Sequence, residues 1–309
     1  MIDLKMFSKE VRKRLAETHY KRMVAEYEES IRNSIEKSFV HSVPYSLSLE
    51  VVDAMADLIE ERKALNYNQK MFLVPTDSVS CLFRYMGKLE GATAILNFAS
   101  FKNPGGMFLN GSPAQEESLC HQSTLYNVLE AFVDNYYAPH LKCLNQGLYQ
   151  DDAIYSKDIV FFNYSASVIS KTLNVSVDSQ TMIADVITCA APNATTFLRR
   201  KYGIIHADEH TLDNELLDAM CSRIRTVLDT AITGRARNLV LGAFGCGVFG
   251  NNPGSVADYF YDYLYDDYAG CFENVYFAVP NPNGNDPNYE AFREGTKTYG
   301  VICLDEEDV

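Results

Sequence analysis

The sequence has few positive charges. It contains 27 Lys and Arg residues against 41 Asp and Glu residues, which gives a net charge of −14. Binding to a nucleic-acid backbone needs clustered Lys and Arg, so we expect no direct DNA binding. A small anionic ligand is not excluded, because backbone N–H groups can bind phosphate and add nothing to the charge count.

Long apolar runs and paired cysteines are also missing. No stretch of about 18 apolar residues occurs, as a transmembrane helix would need, and "MIDLKMFSKEVRKRLAETHY" has charges where a signal peptide would be apolar. The eight cysteines form no CxxC pair and lack the spacing of a zinc site. We expect a cytoplasmic protein with reduced thiols, no membrane association, no metal and no cofactor, and we expect a monomer.

What the sequence does contain is enough apolar material for a large core, since 47% of its 309 residues are hydrophobic. Helical periodicity is found at residues 8–38 and 48–66, with Ser48 as a candidate N-cap. Short apolar runs rich in β-branched and aromatic residues follow, which is typical of strands covered on both faces. The runs are 71–75, 92–98, 158–164, 182–191, 238–244 and 274–280, and helical patterns occur at 114–133, 211–232 and 253–265. This alternation predicts an α/β fold with a parallel or mixed sheet between helices.

Glycine-rich loops follow two of the predicted strands: "NPGGMFLNGSPAQEESL" (103–119) and "GAFGCGVFGNNPGS" (242–255). In open α/β sheets, ligands bind beyond the carboxyl ends of the strands, and glycine lets the backbone approach an anion closely. One such loop alone is more often a tight turn, whereas two favour a diphosphate site. The second loop lacks the Lys-Ser/Thr of a P-loop and the GxGxxG spacing, which argues against nucleoside triphosphate hydrolysis and a Rossmann dinucleotide site.

Two adjacent glutamates, Glu116 and Glu117, stand in a helix that we expect to start near Pro113. Acidic residues in a first turn complement the helix dipole, so the pair can be explained by helix stability alone. Adjacent helical positions point about 100° apart, so the two side chains cannot have the same role. A carboxylate beside a bound diphosphate has a raised pKa, which suits it to general-acid work in glycoside hydrolysis.

The segment "NFASFKNPGGMFLNGSPAQEESL" resembles the signature of bacterial-type poly(ADP-ribose) glycohydrolases, which is three glycines, a spacer of six to eight residues and Gln-Glu-Glu on a macrodomain. "RKRLAETHYKRMVAEY", "VITCAAPN" and "LVLGAFGCGVFGNNPGSVADYFYDYL" are similar to further segments of that family, so the resemblance covers most of residues 10–265. It implies a three-layer α/β/α macrodomain with a mixed central sheet at 69–309. It also implies an N-terminal helical extension, residues 1–68, packed on that core.

The resemblance also implies roles for individual residues. Glu117 matches the catalytic acid/base, Glu116 the residue that contacts the ribose hydroxyls, and Phe249 the aromatic that packs on the terminal ribose. The residues implied to bind ADP-ribose are Asn103, Gly105, Gly106, Met107, Gln115, Gly245, Cys246, Gly247, Val248 and Phe249. Asp77 is a further candidate, for adenine recognition. An N-cap role for Asp77, in a helix starting at Ser78, is equally consistent with the sequence.

Met107 is a departure from the family pattern, because it occupies the position of the third glycine. If that position requires a positive φ, Met107 carries backbone strain; its side chain could also narrow the pocket near the reactive ribose. Both glutamates are retained. The predicted function is therefore that of a glycosidase that hydrolyses ribose–ribose O-glycosidic bonds in poly(ADP-ribose), free or attached to a protein, and releases ADP-ribose. The alternatives are a mono-ADP-ribosyl-protein hydrolase and a non-catalytic ADP-ribose-binding macrodomain.

Overall fold

The computed structural model describes residues 4–42, 49–163, 180–203 and 213–305, and for residues 49–53 the backbone alone. The helices in these ranges are α1 (Lys9–Glu26), α2 (Glu28–Lys37), α3 (Leu49–Lys63), α4 (Ser78–Tyr85), α5 (Gln115–His121), α6 (Leu125–Leu129), α7 (Ala138–Lys142), α8 (Ala194–Tyr202), α9 (Asn214–Thr233), α10 (Pro253–Tyr265) and α11 (Pro287–Tyr299). Short 3-10 turns and one π-helical turn, Val133–Tyr137, connect some of them.

The strands form one eight-stranded mixed sheet. They are β1 (Phe39–Ser42), β2 (Lys70–Val74), β3 (Thr93–Phe98), β4 (Asp152–Phe162), β5 (Thr181–Cys189), β6 (Asn238–Leu241), β7 (Asn274–Ala278) and β8 (Ile302–Cys303), in the spatial order β1-β4-β5-β3-β6-β7-β2-β8. Strands β5, β3, β6, β7, β2 and β8 run parallel, and β4 is antiparallel to both of its neighbours. The predicted α/β class with a mixed sheet is confirmed.

Helices cover both faces of the sheet. Successive strand residues alternate between two buried clusters: Leu96 packs in one with α9, α10 and α11, whereas Ile95 packs in the other with α1, α4, α5 and α6. Side chains at adjacent strand positions point to opposite faces, so each strand of the centre contributes to both cores. This explains why the strands consist of continuous apolar runs.

The predicted helix at residues 8–38 is two helices. Ser8 caps the first through its side chain, which accepts a hydrogen bond from Val11 N–H. The break is at Tyr27, whose φ of −126° is not helical. The Tyr27 ring packs edge-on against Phe162 at 5.1 Å between ring centroids, which helps to dock both helices against the end of β4.

The predicted helix at residues 114–133 is interrupted after His121, which is a correction to the interpretation of that periodicity. Ser123 forms an isolated antiparallel bridge with Phe161 of β4. Gln122 and Thr124 supply the backbone hydrogen bonds of this bridge, to Phe162 and Val160 respectively. Pairing with the sheet therefore replaces helical hydrogen bonds over residues 122–124.

Several other elements differ from the expectation. β4 begins at Asp152 rather than at 158, and the register shifts between Ser156 and Ile159. The elements β1, β8, α7, α8 and α11 were not predicted. Ser48, the expected cap of α3, lies outside the described residues, as do the last residue of the run 158–164 and the first two of the pattern 211–232. Within the described ranges, no helix has the length and apolarity to cross a membrane.

Candidate active site

The topology brings the two glycine-rich loops together. Strands β3 and β6 are hydrogen-bonded neighbours and run parallel, so their carboxyl ends lie at the same edge of the sheet. Residues 99–114, named loop 1, follow β3, and residues 242–252, named loop 2, follow β6. Loop 1 leads into α5 and loop 2 into α10, which places two helix N-termini at this edge. That is where an open α/β sheet binds its ligand.

Loop 1 brings its backbone against both glutamates. Gly106 has a left-handed backbone, with φ of +59°. A Cβ atom at this position would lie 2.8 Å from Oε2 of Glu116 and 2.7 Å from Oε1 of Glu117, closer than real Cβ contacts. The position therefore requires glycine because any side chain would collide with the two carboxylates, even in the absence of a ligand.

Glu116 is buried, with both of its oxygens engaged. Oε1 accepts a hydrogen bond from the Asn97 side chain at 3.2 Å, and Oε2 accepts one from the Ser100 N–H at 2.7 Å. Burial raises the pKa of Glu116 to about 8, the hydrogen bond from Ser100 opposes the rise, and the charge of Glu117 adds to it. Glu116 thus carries a proton at neutral pH.

Glu117, also buried, has a free oxygen. Oε1 accepts a hydrogen bond from the Met107 N–H at 2.8 Å, whereas Oε2 has no hydrogen-bond partner among the described residues. The two neighbouring glutamates therefore have different partners, as their angular separation in a helix predicts. Only Glu117 offers an unengaged carboxylate oxygen.

The conformation of Met107 does not require a glycine. Its φ is −108° and its ψ is 31°, so the strain expected for a positive φ is absent. The left-handed positions of the motif are Gly105 and Gly106, with φ of +61° and +59°. The Met107 side chain is 47% exposed, and whether it narrows the pocket in the presence of a ligand stays a prediction.

Gln115 braces the end of β3. Its side-chain oxygen accepts a hydrogen bond from the Phe98 N–H at 2.9 Å, and its side-chain nitrogen donates to the Leu96 carbonyl at 2.8 Å. It continues the hydrogen-bonding pattern of the strand while it belongs to the first turn of α5. This places the start of α5 against β3, and a contact of Gln115 with ADP-ribose stays a prediction.

Loop 2 contains the other implied binding residues. Gly245 has φ of +75° and lies so close to Ala191 that a Cβ atom would be 2.6 Å from its side chain. Asn251 closes the loop, because its side-chain nitrogen donates to the Gly245 carbonyl at 2.9 Å and to the Pro192 carbonyl at 2.8 Å. Burial raises the pKa of the Cys246 thiol to about 12, so the thiol stays protonated. Gly247 and Val248 are exposed at the tip of the loop.

Phe249 lies next to an aromatic pair that the sequence interpretation did not include. Its ring centroid is 6.1 Å from that of Tyr149, and Tyr149 stacks on Phe101 of loop 1 at 3.6 Å. Tyr149 lies between β4 and the preceding 3-10 turn, so no motif in its own segment connects it to either loop.

Two remaining candidates differ in their surroundings. Asp77 is the N-cap of α4: its side chain accepts hydrogen bonds from the N–H and the hydroxyl of Ser80. This is the second of the two roles that the sequence allowed, and adenine recognition stays a prediction. Asn103 is exposed on loop 1, and its carbonyl accepts a hydrogen bond from the Gly106 N–H at 3.0 Å.

Helix α1, part of the segment expected to pack on the core, contacts loop 1 and the residues that follow α5, and these particular contacts were not predicted. Arg12 Nε donates to the Gly111 carbonyl at 2.6 Å, and His19 Nε2 lies 2.8 Å from the Ser123 carbonyl. Between these contacts, Phe108 packs edge-on against the rings of His19 and His121. The segment that carries Glu116 and Glu117 is therefore held in place by helix α1, which is remote from it in sequence.

No metal centre is formed by the described part of the chain, since no three His, Cys, Asp or Glu side chains in it are placed to hold an ion. The close pair Cys120 and His121 has other surroundings. Cys120 lies under Gly105, and His121 packs against Phe108. The eight cysteines are all free thiols.

Comparison with known proteins identifies the family. The family model described as "Microbial-type PARG, catalytic domain" matches residues 9–164, just over half of the chain. No curated protein matches the sequence.

Solved structures of the same family are similar over nearly their whole length. Poly(ADP-ribose) glycohydrolase from Deinococcus radiodurans in complex with ADP-ribose is 29% identical, with a TM-score of 0.72 over 87% of this chain and 97% of that one. The enzyme from Thermomonospora curvata bound to the inhibitor ADP-HPD is 28% identical, with a TM-score of 0.72 over 92% of this chain and 98% of that one. A second crystal structure of the Thermomonospora curvata enzyme has a TM-score of 0.73 at 28% identity, with the same coverage of both chains.

Proposed function

The chain belongs to the microbial-type poly(ADP-ribose) glycohydrolase family, and from this premise we propose that it hydrolyses the ribose–ribose O-glycosidic bonds of poly(ADP-ribose) and releases ADP-ribose. The observation that carries the proposal is the pair of buried glutamates, Glu116 and Glu117, against the left-handed backbone of Gly106. A binding module would need the glycine-rich loops but not two buried carboxylates, whose desolvation is costly.

In the proposed mechanism, Glu117 acts on the glycosidic oxygen. Its Oε2 is the unengaged carboxylate oxygen of the pair. In the complex that reacts, Glu117 is in its protonated form, and it donates this proton to the leaving ribose oxygen while the C–O bond at the anomeric carbon breaks and oxocarbenium character develops. The same carboxylate then takes a proton from the water that attacks the anomeric carbon, which restores the acid and yields free ADP-ribose.

The neighbouring groups position the substrate. Glu116 is fixed by Asn97 and Ser100 and carries a proton at neutral pH, so it can both donate to and accept from a ribose hydroxyl. The N–H groups of loop 2 and the N-terminus of α10 attract the diphosphate. Phe249 packs on the terminal ribose. Such positioning can contribute as much to the rate as the proton transfer.

The finer structural assignments belong to the same proposal. We assign residues 69–309 to a three-layer macrodomain-like catalytic domain and residues 1–68 to a helical extension packed on it. Helices on both faces of the sheet support the layered description. The contacts of α1 with loop 1 support the packing of the extension. We further propose a cytoplasmic monomer whose partner is poly(ADP-ribose), free or attached to a protein.

The test measures hydrolysis of poly(ADP-ribose) by the purified wild-type protein and by the Glu117→Gln variant. Mono-ADP-ribosylated protein is tested as a second substrate. We expect release of ADP-ribose from the polymer and a loss of about 100-fold or more in Glu117→Gln, with ADP-ribose binding retained. Release from the mono-modified protein alone would establish the alternative hydrolase. Binding without release from either substrate would reduce the protein to an ADP-ribose-binding module.

A further inference from the structure

Tyr149 has a backbone conformation that is unusual for a residue with a large side chain. Its φ is +62°, in the left-handed region, and its side chain is 4% exposed. Asn145, Gln146 and Gly147, just before it, are left-handed too, with φ of +39°, +55° and +112°. Asn and Gly adopt this region readily, but a bulky aromatic does so only where the surrounding structure holds it. A strained residue buried beside a candidate site points to a role in that site.

The ring of Tyr149 connects the two ligand-binding loops. One face stacks on Phe101 of loop 1, with centroids 3.6 Å apart and planes 24° apart. Phe249 of loop 2 packs beside it, with centroids 6.1 Å apart. Tyr149, Phe101 and Ala190 form one small buried cluster, and the partly buried Phe249 packs against it. Displacement of the Tyr149 ring would therefore alter the packing of both loops.

A buried arginine fixes the backbone on both sides of this cluster. Arg223 of α9 is 1% exposed. Its Nη2 donates to the Leu148 carbonyl at 3.0 Å, and its Nη1 donates to the Ala190 carbonyl. Nε pairs with Asp151 at 2.9 Å, which balances the buried charge. Because these hydrogen bonds are shielded from water, they hold the residue before Tyr149 firmly.

Asn193 links the main chain just before Tyr149 to the backbone of loop 2. Its N–H donates to the carbonyl of Gly147, two residues before Tyr149, at 2.8 Å. Asn193 also caps α8, whose Thr195 N–H donates to the Phe249 carbonyl at 3.0 Å. The ring of Tyr149 and the main chain just before it are thus both connected to Phe249.

We propose that Tyr149 is a positioning residue, which holds Phe249 and loop 1 in the arrangement that the ADP-ribose unit requires. The proposal rests on the proposed function, in which Phe249 packs on the terminal ribose. Tyr149 acts through Phe249 and Phe101 and need not touch the substrate. The left-handed backbone of Tyr149 places its ring between the two loops.

Three substitutions test this role. Tyr149→Leu removes the ring, Tyr149→Phe keeps the ring and removes the hydroxyl, and Phe101→Leu removes the stacking partner without altering the strained residue. Phe272→Leu is the matched control: Phe272 is fully buried and precedes β7, so it lies at the opposite edge of the sheet from the loops. The readouts are amide hydrogen exchange of residues 242–252 in the ligand-free protein, the Kd of ADP-ribose, and KM and kcat on poly(ADP-ribose).

We expect Tyr149→Leu and Phe101→Leu to speed hydrogen exchange in loop 2 about tenfold and to weaken ADP-ribose binding about tenfold, with a matching rise in KM. Tyr149→Phe should retain most of the binding. Phe272→Leu should lower the unfolding midpoint but leave loop 2 exchange and binding within about twofold.

The proposal is overturned if Tyr149→Leu folds and the hydrogen exchange of its loop 2 is unchanged. If Tyr149→Leu does not fold, unchanged exchange of loop 2 in Phe101→Leu overturns it. An equal effect of Phe272→Leu on loop 2 overturns it too, because a general loss of stability would then explain the result. A wild-type protein that binds no ADP-ribose contradicts the proposed function, while the exchange comparison in the ligand-free protein still decides the role of Tyr149.

Discussion

The backbone N–H of Met107 donates a hydrogen bond to Oε1 of Glu117 at 2.8 Å. The residue that departs from the glycine pattern therefore contacts the proposed acid, and it does so through its main chain. Any residue with an N–H group and a φ near −108° can make this contact. This explains how a methionine can occupy the position while the two glutamates keep their geometry.

Gly106→Ala should nearly abolish activity. The new methyl group would lie 2.7 and 2.8 Å from the two carboxylates, which would have to move. A displacement on the order of 1 Å in catalytic groups costs about 100-fold in rate. The measurement is kcat on poly(ADP-ribose) at saturating substrate.

Gly203→Ala is the control for backbone strain in that comparison. Gly203 has a similar φ of +70°, but a Cβ atom there would have no neighbour within 4 Å. It should therefore lower stability slightly and leave kcat unchanged. Equal activity of the two variants would show that Gly106 is not required by the glutamates.

Glu116 should make stability depend on pH. Its pKa is raised from 4.5 to about 8 by burial, so folding favours the protonated form. This contribution to stability is fully present below pH 4.5 and is lost as the pH rises through 8, at roughly 1 kcal/mol per pH unit between these values. Urea unfolding at pH 5, 6.5 and 8 measures it.

Glu116→Gln isolates that contribution from those of other titrating groups, because Gln does not ionise. The difference in unfolding free energy between Glu116→Gln and the wild type should grow with pH across this window. A difference that stays constant from pH 5 to pH 8 would mean that the Glu116 pKa is not raised in the folded protein.

Gln115→Leu should destabilise the protein. The part-buried Phe98 N–H would lose the side-chain oxygen that accepts its hydrogen bond at 2.9 Å, and the loss of such a hydrogen bond costs about 1 kcal/mol. The unfolding free energy in urea measures the loss. The exposed Gln180 offers a matched control: Gln180→Leu should change stability by no more than about 0.5 kcal/mol, and a similar loss in both variants would contradict the bracing role.

A chain of residues 69–309 should not fold cooperatively. It would lack β1, which pairs with β4 from Phe39↔Tyr155 to Ser42↔Asp152, and the buried residues Ala16 and Met23 of α1. Thermal unfolding followed by circular dichroism provides the measurement. A chain that lacks only residues 1–7 keeps both elements and should unfold cooperatively. If residues 69–309 unfold with the midpoint of the full chain, residues 1–68 are a dispensable addition.

The sequence by itself determined the fold class, six of the eight described strands and the segments that form the candidate site. These features rest on short-range chemistry: apolar periodicity, glycines that admit a left-handed turn, and helix-start residues. Helix α10, at Pro253–Tyr265, has the bounds that its pattern predicted. Helix α11 was missed although it carries a local signal, the N-cap Asp286 followed by Pro287. Strands β1 and β8 are too short to show a period of their own.

Only the tertiary structure decided which groups act together. Arg223 reaches a carbonyl 75 residues away at Leu148, and His19 reaches one 104 residues away at Ser123. No local pattern encodes such pairs, because each partner has a second, ordinary role in its own helix or turn. The division between Glu116 and Glu117 has the same origin. Identical side chains at adjacent positions differ because Asn97 and Ser100 engage one of them and leave Oε2 of the other free.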